Sequence, residues 1–146
     1  MKYYKLEQHK KIHTQEDIKD LMAQLIFNPT EGRIKSAAEG IYGKEQGRFY
    51  VANDNEKVVG ILGVRRVDNT FVEIMHFIVA EGSRNQGIGH GLIDCLKNCE
   101  RVDYIITSCD DKLLDFYKKL NFECKEEEDP ITFKLNYTCK LKLDWG

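Results

Sequence analysis

The stretch Phe71-Val72-Glu73-Ile74-Met75-His76-Phe77-Ile78-Val79-Ala80, followed by Glu81-Gly82-Ser83-Arg84-Asn85-Gln86-Gly87-Ile88-Gly89-His90, decides the fold. Its first half is rich in β-branched and aromatic residues and follows a polar turn, which reads as a strand. Its second half is a Gly/Ser/Asn loop leading into Ile88, Leu92, Cys95, Leu96 and Cys99 at helical spacing, so a helix runs from Gly87 to Cys99. Tyr104 to Cys109 is the next apolar strand. A strand-helix-strand unit normally closes as a right-handed parallel crossover, so the strands ending at Val79 and Cys109 should run parallel.

Upstream, Arg48 to Ala52 and Lys57 to Val67 have the same strand texture, joined by Asn53-Asp54-Asn55-Glu56 and by Asp68-Asn69-Thr70. Tight polar turns of this kind make an antiparallel meander with the strand that ends at Val79. Ahead of it, Tyr3 to Gln8 is a weaker strand candidate. A helix begins at Thr14, with Thr14 and Asp17 as a capping-box variant, and Asn28-Pro29 ends it. A further helix spans Glu31 to Tyr42, with Ile34, Ala37, Ala38 and Ile41 on one stripe. Downstream come a helix from Asp111 to Leu120 and strands near Phe122 to Glu127 and Asn136 to Leu143. The expectation is an α+β (mixed α/β) chain with a central mixed, mostly antiparallel sheet of about seven strands. Residues 1–146 read as a single domain, because no repeat, low-complexity tract or linker interrupts them.

Composition removes several classes of function. Hydrophobic residues make up 42% and charged residues 32%, ordinary values for a soluble globular chain. A net charge of -2 gives no general reason to expect nucleic acid or a membrane as partner. Met1-Lys2-Tyr3-Tyr4-Lys5 has no apolar leader, and runs such as Phe77-Ile78-Val79-Ala80 are too short to span a bilayer. The 5 cysteines, Cys95, Cys99, Cys109, Cys124 and Cys139, have no zinc-ligand spacing, so no metal is expected. Reduced thiols suit a cytoplasmic protein. Nothing in the sequence fixes the oligomeric state, and a homodimer stays open.

The loop carries chemistry of its own. A turn from strand into helix leaves the first backbone N–H groups of the helix without partners, and the helix dipole adds partial positive charge there. Gly87 and Gly89 remove Cβ atoms that would hold a phosphate away, and Arg84 can add a charged hydrogen bond. This describes a diphosphate cradle. No Gly-Lys-Ser/Thr follows, which sets aside the nucleoside-triphosphate loop, and the dinucleotide fingerprint is absent. A glycine-containing helix start with no ligand is the alternative.

Arg84-Asn85-Gln86-Gly87-Ile88-Gly89 after an apolar strand, with Leu114-Asp115-Phe116-Tyr117-Lys118-Lys119-Leu120-Asn121-Phe122 downstream, resembles the GNAT superfamily of acyl-CoA-dependent acyltransferases. Asn121 stands where that family usually has glycine. The resemblance runs from roughly Phe49 to Phe122 and implies a GNAT-like sheet with helices on both faces. It implies acetyl-CoA as co-substrate and transfer of acetyl to a primary amine of a small molecule, peptide or protein, by direct attack in a ternary complex. It further implies that two parallel strands splay apart and that the pantetheine arm lies in the gap. Main-chain groups of Phe77, Ile78 and Val79 would pair with the arm, and the amides of Asn85, Gln86, Gly87, Ile88, Gly89 and His90 would hold the pyrophosphate. Asp110 stands where the family often has an asparagine touching the arm, and Tyr117 where a tyrosine points at the CoA sulfur.

Amine acetylation needs an uncharged nucleophile, an oxyanion site and a proton for the departing thiolate. Backbone N–H groups near Val79 can supply the oxyanion site and Tyr117 the proton. Glu73 is the leading base, because a carboxylate in an apolar strand is costly without a partner or a task. An ion pair with Arg65 or Arg66 is the structural alternative. His76 is the other base candidate, placed by simple alternation on the face opposite Glu73 unless a bulge intervenes. The run Glu123, Glu126, Glu127, Glu128 and Asp129 reads as a solvated loop, with attraction of a cationic amine as the alternative, since the resemblance implies that this region borders the acceptor site. A non-catalytic acyl-CoA-binding module is the competing reading, with Glu73 and Tyr117 purely structural.

Overall fold

The structure, a computed structural model, describes residues 1–145. In chain order the elements are β1 (Lys2–Lys5), α1 (Lys11–Thr14), α2 (Glu16–Ala23), α3 (Glu31–Ala37), β2 (Gly47–Asp54), β3 (Lys57–Arg66) and β4 (Phe71–Val79). They continue with α4 (Ile88–Cys99), β5 (Tyr104–Cys109), α5 (Asp111–Lys119), β6 (Glu123–Glu128) and β7 (Leu135–Lys142). One wide π turn, Ala38–Tyr42, extends α3. The strands form a 7-stranded sheet in the order β1-β2-β3-β4-β5-β7-β6. Every neighbouring pair is antiparallel except β4 and β5, which run parallel, as the crossover rule requires.

Strand alternation gives the sheet two apolar faces, each covered by helices. Tyr50 and Ala52 of β2 join Ile88, Leu92 and Leu96 of α4 and Tyr117 of α5 in one core. Phe49 and Val51 point the other way, into a second core with Ile12, Ile18, Met22, Ile34 and Tyr42 from α1, α2, α3 and the wide turn. Two carboxylates pin the helices to the sheet. Asp17 accepts the Val58 N–H at the start of β3 (2.8 Å) as well as its own neighbour's, Ile18 (2.8 Å). Glu100, just past α4, is buried and accepts from Arg48 Nε of β2 and Arg66 Nη1 of β3.

Several local expectations need correction. Thr14 does not cap a helix: its hydroxyl donates back to the Lys10 carbonyl, and α2 starts after Gln15 with no side-chain cap. The capping threonine is Thr30, whose Oγ1 accepts the Arg33 N–H at 3.1 Å. The helix before Asn28 ends at Ala23, well short of Pro29. On α4, Cys99 is exposed and Ile93 is buried instead.

Candidate active site between two parting strands

β4 and β5 pair only at Phe71↔Tyr104, Val72↔Ile105 and Glu73↔Ile106. Beyond Glu73 the strands separate, β5 continuing against β7 and β4 keeping β3 alone. The edge of β4 from Ile74 to Val79 is thus open toward β5, which is the splay that the sequence resemblance implies. Ala80 N–H donates to Val59 O of β3 at 2.7 Å. Because main-chain groups alternate sides along a strand, those of Ile78 also face β3, while those of Phe77 and Val79 face the gap. Ile78 was expected to offer its main chain to a ligand arm. Its groups are turned to the sheet.

After β4 the chain makes one 3-10 turn, Glu81–Ser83, and enters α4 through two left-handed residues, Asn85 (φ 63°) and Gly87 (φ 77°). A left-handed φ costs an L side chain steric energy, and at Gly87 a Cβ would meet only open space. No side chain caps α4, so its leading N–H groups look into a cleft of about 530 Å3. Val79, Ser83, Arg84, Asn85, Gly87, Ile88, Gly89, His90, Phe116, Lys119 and Leu120 line that cleft. Gln86 is exposed and does not line it. Arg84 Nε donates to Val79 O at 3.1 Å, which holds the guanidinium across the end of β4.

The two glycines do different jobs. A Cβ at Gly89 would sit 3.3 Å from Leu120 Cδ2 and 3.7 Å from Phe77 Cζ, so that glycine makes room for the core and not for a phosphate. Asp110 also has another task. Its carboxylate caps α5, accepting the N–H groups of Lys112 (3.0 Å) and Leu113 (3.3 Å). Lys119 and Phe116 were not anticipated. The sequence offered one cue, since the two flank the tyrosine of the second motif and stand three residues apart, on one side of a helix.

Tyr117 is 4% exposed and packed edge-on against Phe77, Phe116 and Phe122. Its hydroxyl lies beside Thr107 of β5. Burial pushes its pKa up to about 12, the Thr107 contact opposing, so the phenol stays protonated at neutral pH. Phe116, and not Tyr117, is the aromatic that lines the cleft.

On the other face, Glu73 is not a buried carboxylate. Its side chain is 36% exposed and ion-paired to Arg65 Nη2 at 3.0 Å, so the cost expected for it does not arise. The alternation argument about His76 also fails. Gly63 pairs with His76 but Val64 pairs with Ile74, so Met75 is the extra residue of a bulge. The bulge carries His76 onto the face of Glu73. There the Tyr42 hydroxyl meets His76 Nδ1 at 2.6 Å, in a niche that exists because residue 63 is glycine: a Cβ there would lie 1.9 Å from Tyr42 Oη. A buried phenol needs an acceptor, so Tyr42 donates and the neutral imidazole carries its proton on Nε2. Burial lowers the His76 pKa to about 4. The signal was present in the sequence, where core positions shift phase from Val72 and Ile74 to Phe77 and Val79.

The comparisons with known proteins agree with this geometry. The family described as "Acetyltransferase (GNAT) domain" matches residues 45–124. An uncharacterized N-acetyltransferase of the lysA 3' region of Bacillus methanolicus is 31% identical over 80 residues, covering 53% of this chain and 67% of that one. An aminoglycoside 6'-N-acetyltransferase solved with coenzyme A has a TM-score of 0.78 at 13% identity, covering 97% of each chain. Tetrahymena GCN5 has a TM-score of 0.71 at 17% identity, covering 99% of this chain and 97% of its own. At these identities the structural likenesses speak to the fold alone. The family match, in contrast, spans the meander, the glycine loop and the crossover unit whose parting strands form the cleft, and the chain belongs to the GNAT family of acetyltransferases.

Proposed function

We propose that the cleft binds acetyl-CoA and that the enzyme transfers its acetyl group to a primary amine. The observation that carries this reading is the open edge of β4, with the Phe77 and Val79 N–H groups facing the gap beside an uncapped α4. The residues present suit a diphosphate: unpaired helix amides, Arg84 and Lys119 in one cleft, and at Gly87 space that a side chain would fill. When bound, acetyl-CoA supplies an acetyl group activated as a thioester.

The chain's own groups divide the remaining work. Phe77 N–H is the gap-facing donor nearer the apex and is placed to stabilise charge developing on a carbonyl oxygen. Glu73, reachable from solvent, accepts the proton of the attacking amine, directly or through water. Tyr117 keeps its proton through the neutral range, which suits protonation of a departing thiolate, and it packs against Phe116 at the cleft wall. His76, with its Nδ1 engaged by Tyr42, acts as a hydrogen-bond donor and not as the base. The 5 free cysteines fit a reducing compartment, and we place the protein in the cytoplasm.

A non-catalytic acyl-CoA-binding module is the second reading. It is favoured by one observation, that Glu73 and Tyr117 both have structural partners in Arg65 and the aromatic cluster. Thiol release from acetyl-CoA with a panel of amines separates the two. Acetyl transfer that falls about 100-fold in Glu73→Gln, with acetyl-CoA affinity kept, supports catalysis. Tight acetyl-CoA binding with no transfer to any amine supports the module.

A further inference from the structure

The gap between β4 and β5 closes at its apex, the Glu73↔Ile106 pair, and the bulge residue Met75 lies beside that apex. Met75 also lines a separate groove of about 450 Å3 on the face of α3. Ile41 and Lys44, from the wide turn and its exit, form one wall, and Arg65 and Arg66 at the end of β3 form the other. Among the described residues, this lining includes three cations and no carboxylate. Arg65 is paired with Glu73 at the rim, while Arg66 and Arg48 share the single carboxylate of Glu100, so the residues lining the groove themselves carry net positive charge. Lys44 has no ion pair among the described residues, and the nearby Glu39 and Glu45 are exposed outside the lining. A larger groove, about 720 Å3, holds Glu16, Asp17, Asp20 and Glu56, but it reaches the chain at Ala80, just past the end of β4 that lies far from the apex.

We propose that the acceptor amine carries a carboxylate, which Lys44, Arg65 and Arg66 bind in the groove beside the bulge while the amine reaches the apex. This deepens the acetyl-transfer reading of the cleft and rests on it. Guanidinium and ammonium donors make short, charge-assisted bonds to carboxylate oxygens; Arg66 is half-buried, while Lys44 and Arg65 are exposed at the rim. A carboxylate bound here also competes with Glu73 for Arg65, freeing Glu73 next to the amine whose proton it takes.

Matched acceptors test the idea: glutamate against its diamide, a C-terminally amidated Asp-containing dipeptide against its amidated Asn counterpart, and spermidine as the cationic control. The expected result is a kcat/KM about tenfold or more higher for the charged member of a pair, with the two pairs distinguishing a free amino acid from an acidic peptide. Lys44→Glu should erase that preference. A second readout does not need turnover. The chain has 3 methionines, so the methyl signal of Met75 can be followed while N-acetylglutamate is titrated in. A saturable shift at Met75, with Met22 unmoved and the effect lost in Lys44→Glu, is predicted. If spermidine or the amides are used as well as the acids, or if Met75 does not respond, the inference is overturned. Calorimetry with acetyl-CoA tells the failures apart: binding with no acid preference sinks the inference alone, whereas no binding sinks the acetyl-transfer reading as well.

Discussion

Exchanging each loop glycine for alanine should separate the two tasks that the sequence motif merges. At Gly87 the backbone is left-handed, φ 77°, and the added methyl would stand in open space at the margin of the cleft that Gly87 lines. An L residue in that conformation costs roughly 1–2 kcal/mol, so Gly87→Ala should lower the melting temperature by about 3–8 °C in a domain of this size. If the methyl displaces one helix N–H from a phosphate oxygen, a charge-assisted bond of about 1.5–3 kcal/mol is lost, weakening CoA about 10- to 100-fold. At Gly89 the methyl meets Leu120 Cδ2 at 3.3 Å, a tight but yielding contact. Helix propensity returns about 1 kcal/mol there, so Gly89→Ala should stay within about 1 kcal/mol of the parent in stability. Its CoA affinity should change by no more than about twofold, since the helix amide is kept. Thermal melts and CoA calorimetry on both variants decide the matter. A larger affinity loss for Gly89→Ala than for Gly87→Ala would refute this division of labour.

Three further outcomes follow from the buried polar groups. The His76 pKa is lowered from 6.5 to about 4, so its contribution is present above pH 6.5 and lost as the pH falls through 4. That loss is of the order of 3 kcal/mol, and acid denaturation of His76→Gln should show much less of it. Tyr117, raised from 10.0 to about 12 by burial, gives the opposite sign: its contribution is intact below pH 10 and lost as the pH rises through 12. Tyr42 and Tyr50 shift the same way, so phenol absorbance and unfolding should move together above pH 10. Replacing Glu100 with Gln leaves Arg48 and Arg66 without their shared carboxylate, and urea melts should show a loss of roughly 3 kcal/mol.

The centre of the sheet was legible because β2 and β3 are buried under helices on both faces and its strands are bounded by polar turns. Phe71–Val79 and Tyr104–Cys109 carry the same bounds in sequence and structure. Helix ends were less legible, since Thr14 and Thr30 both look like caps and only tertiary packing tells which one serves. The bulge at Met75 escaped because one extra residue leaves composition untouched and shows only as a phase slip in the core pattern. Missing it put His76 on the wrong face and hid Tyr42, whose niche depends on a glycine in another strand. Asp110 and Gly89 were read through a motif that assigns positions to a ligand, while their nearest neighbours here are the N–H groups of α5 and the core.

The central claim is that the parted strands and the uncapped helix start form an acetyl-CoA site, and titrating the intact protein with acetyl-CoA in a calorimeter tests it most directly. The account predicts saturable binding at one site, weakened by Gly87→Ala and by Arg84→Ala. A folded protein that releases no heat and gains no thermal stability at millimolar acetyl-CoA would contradict it.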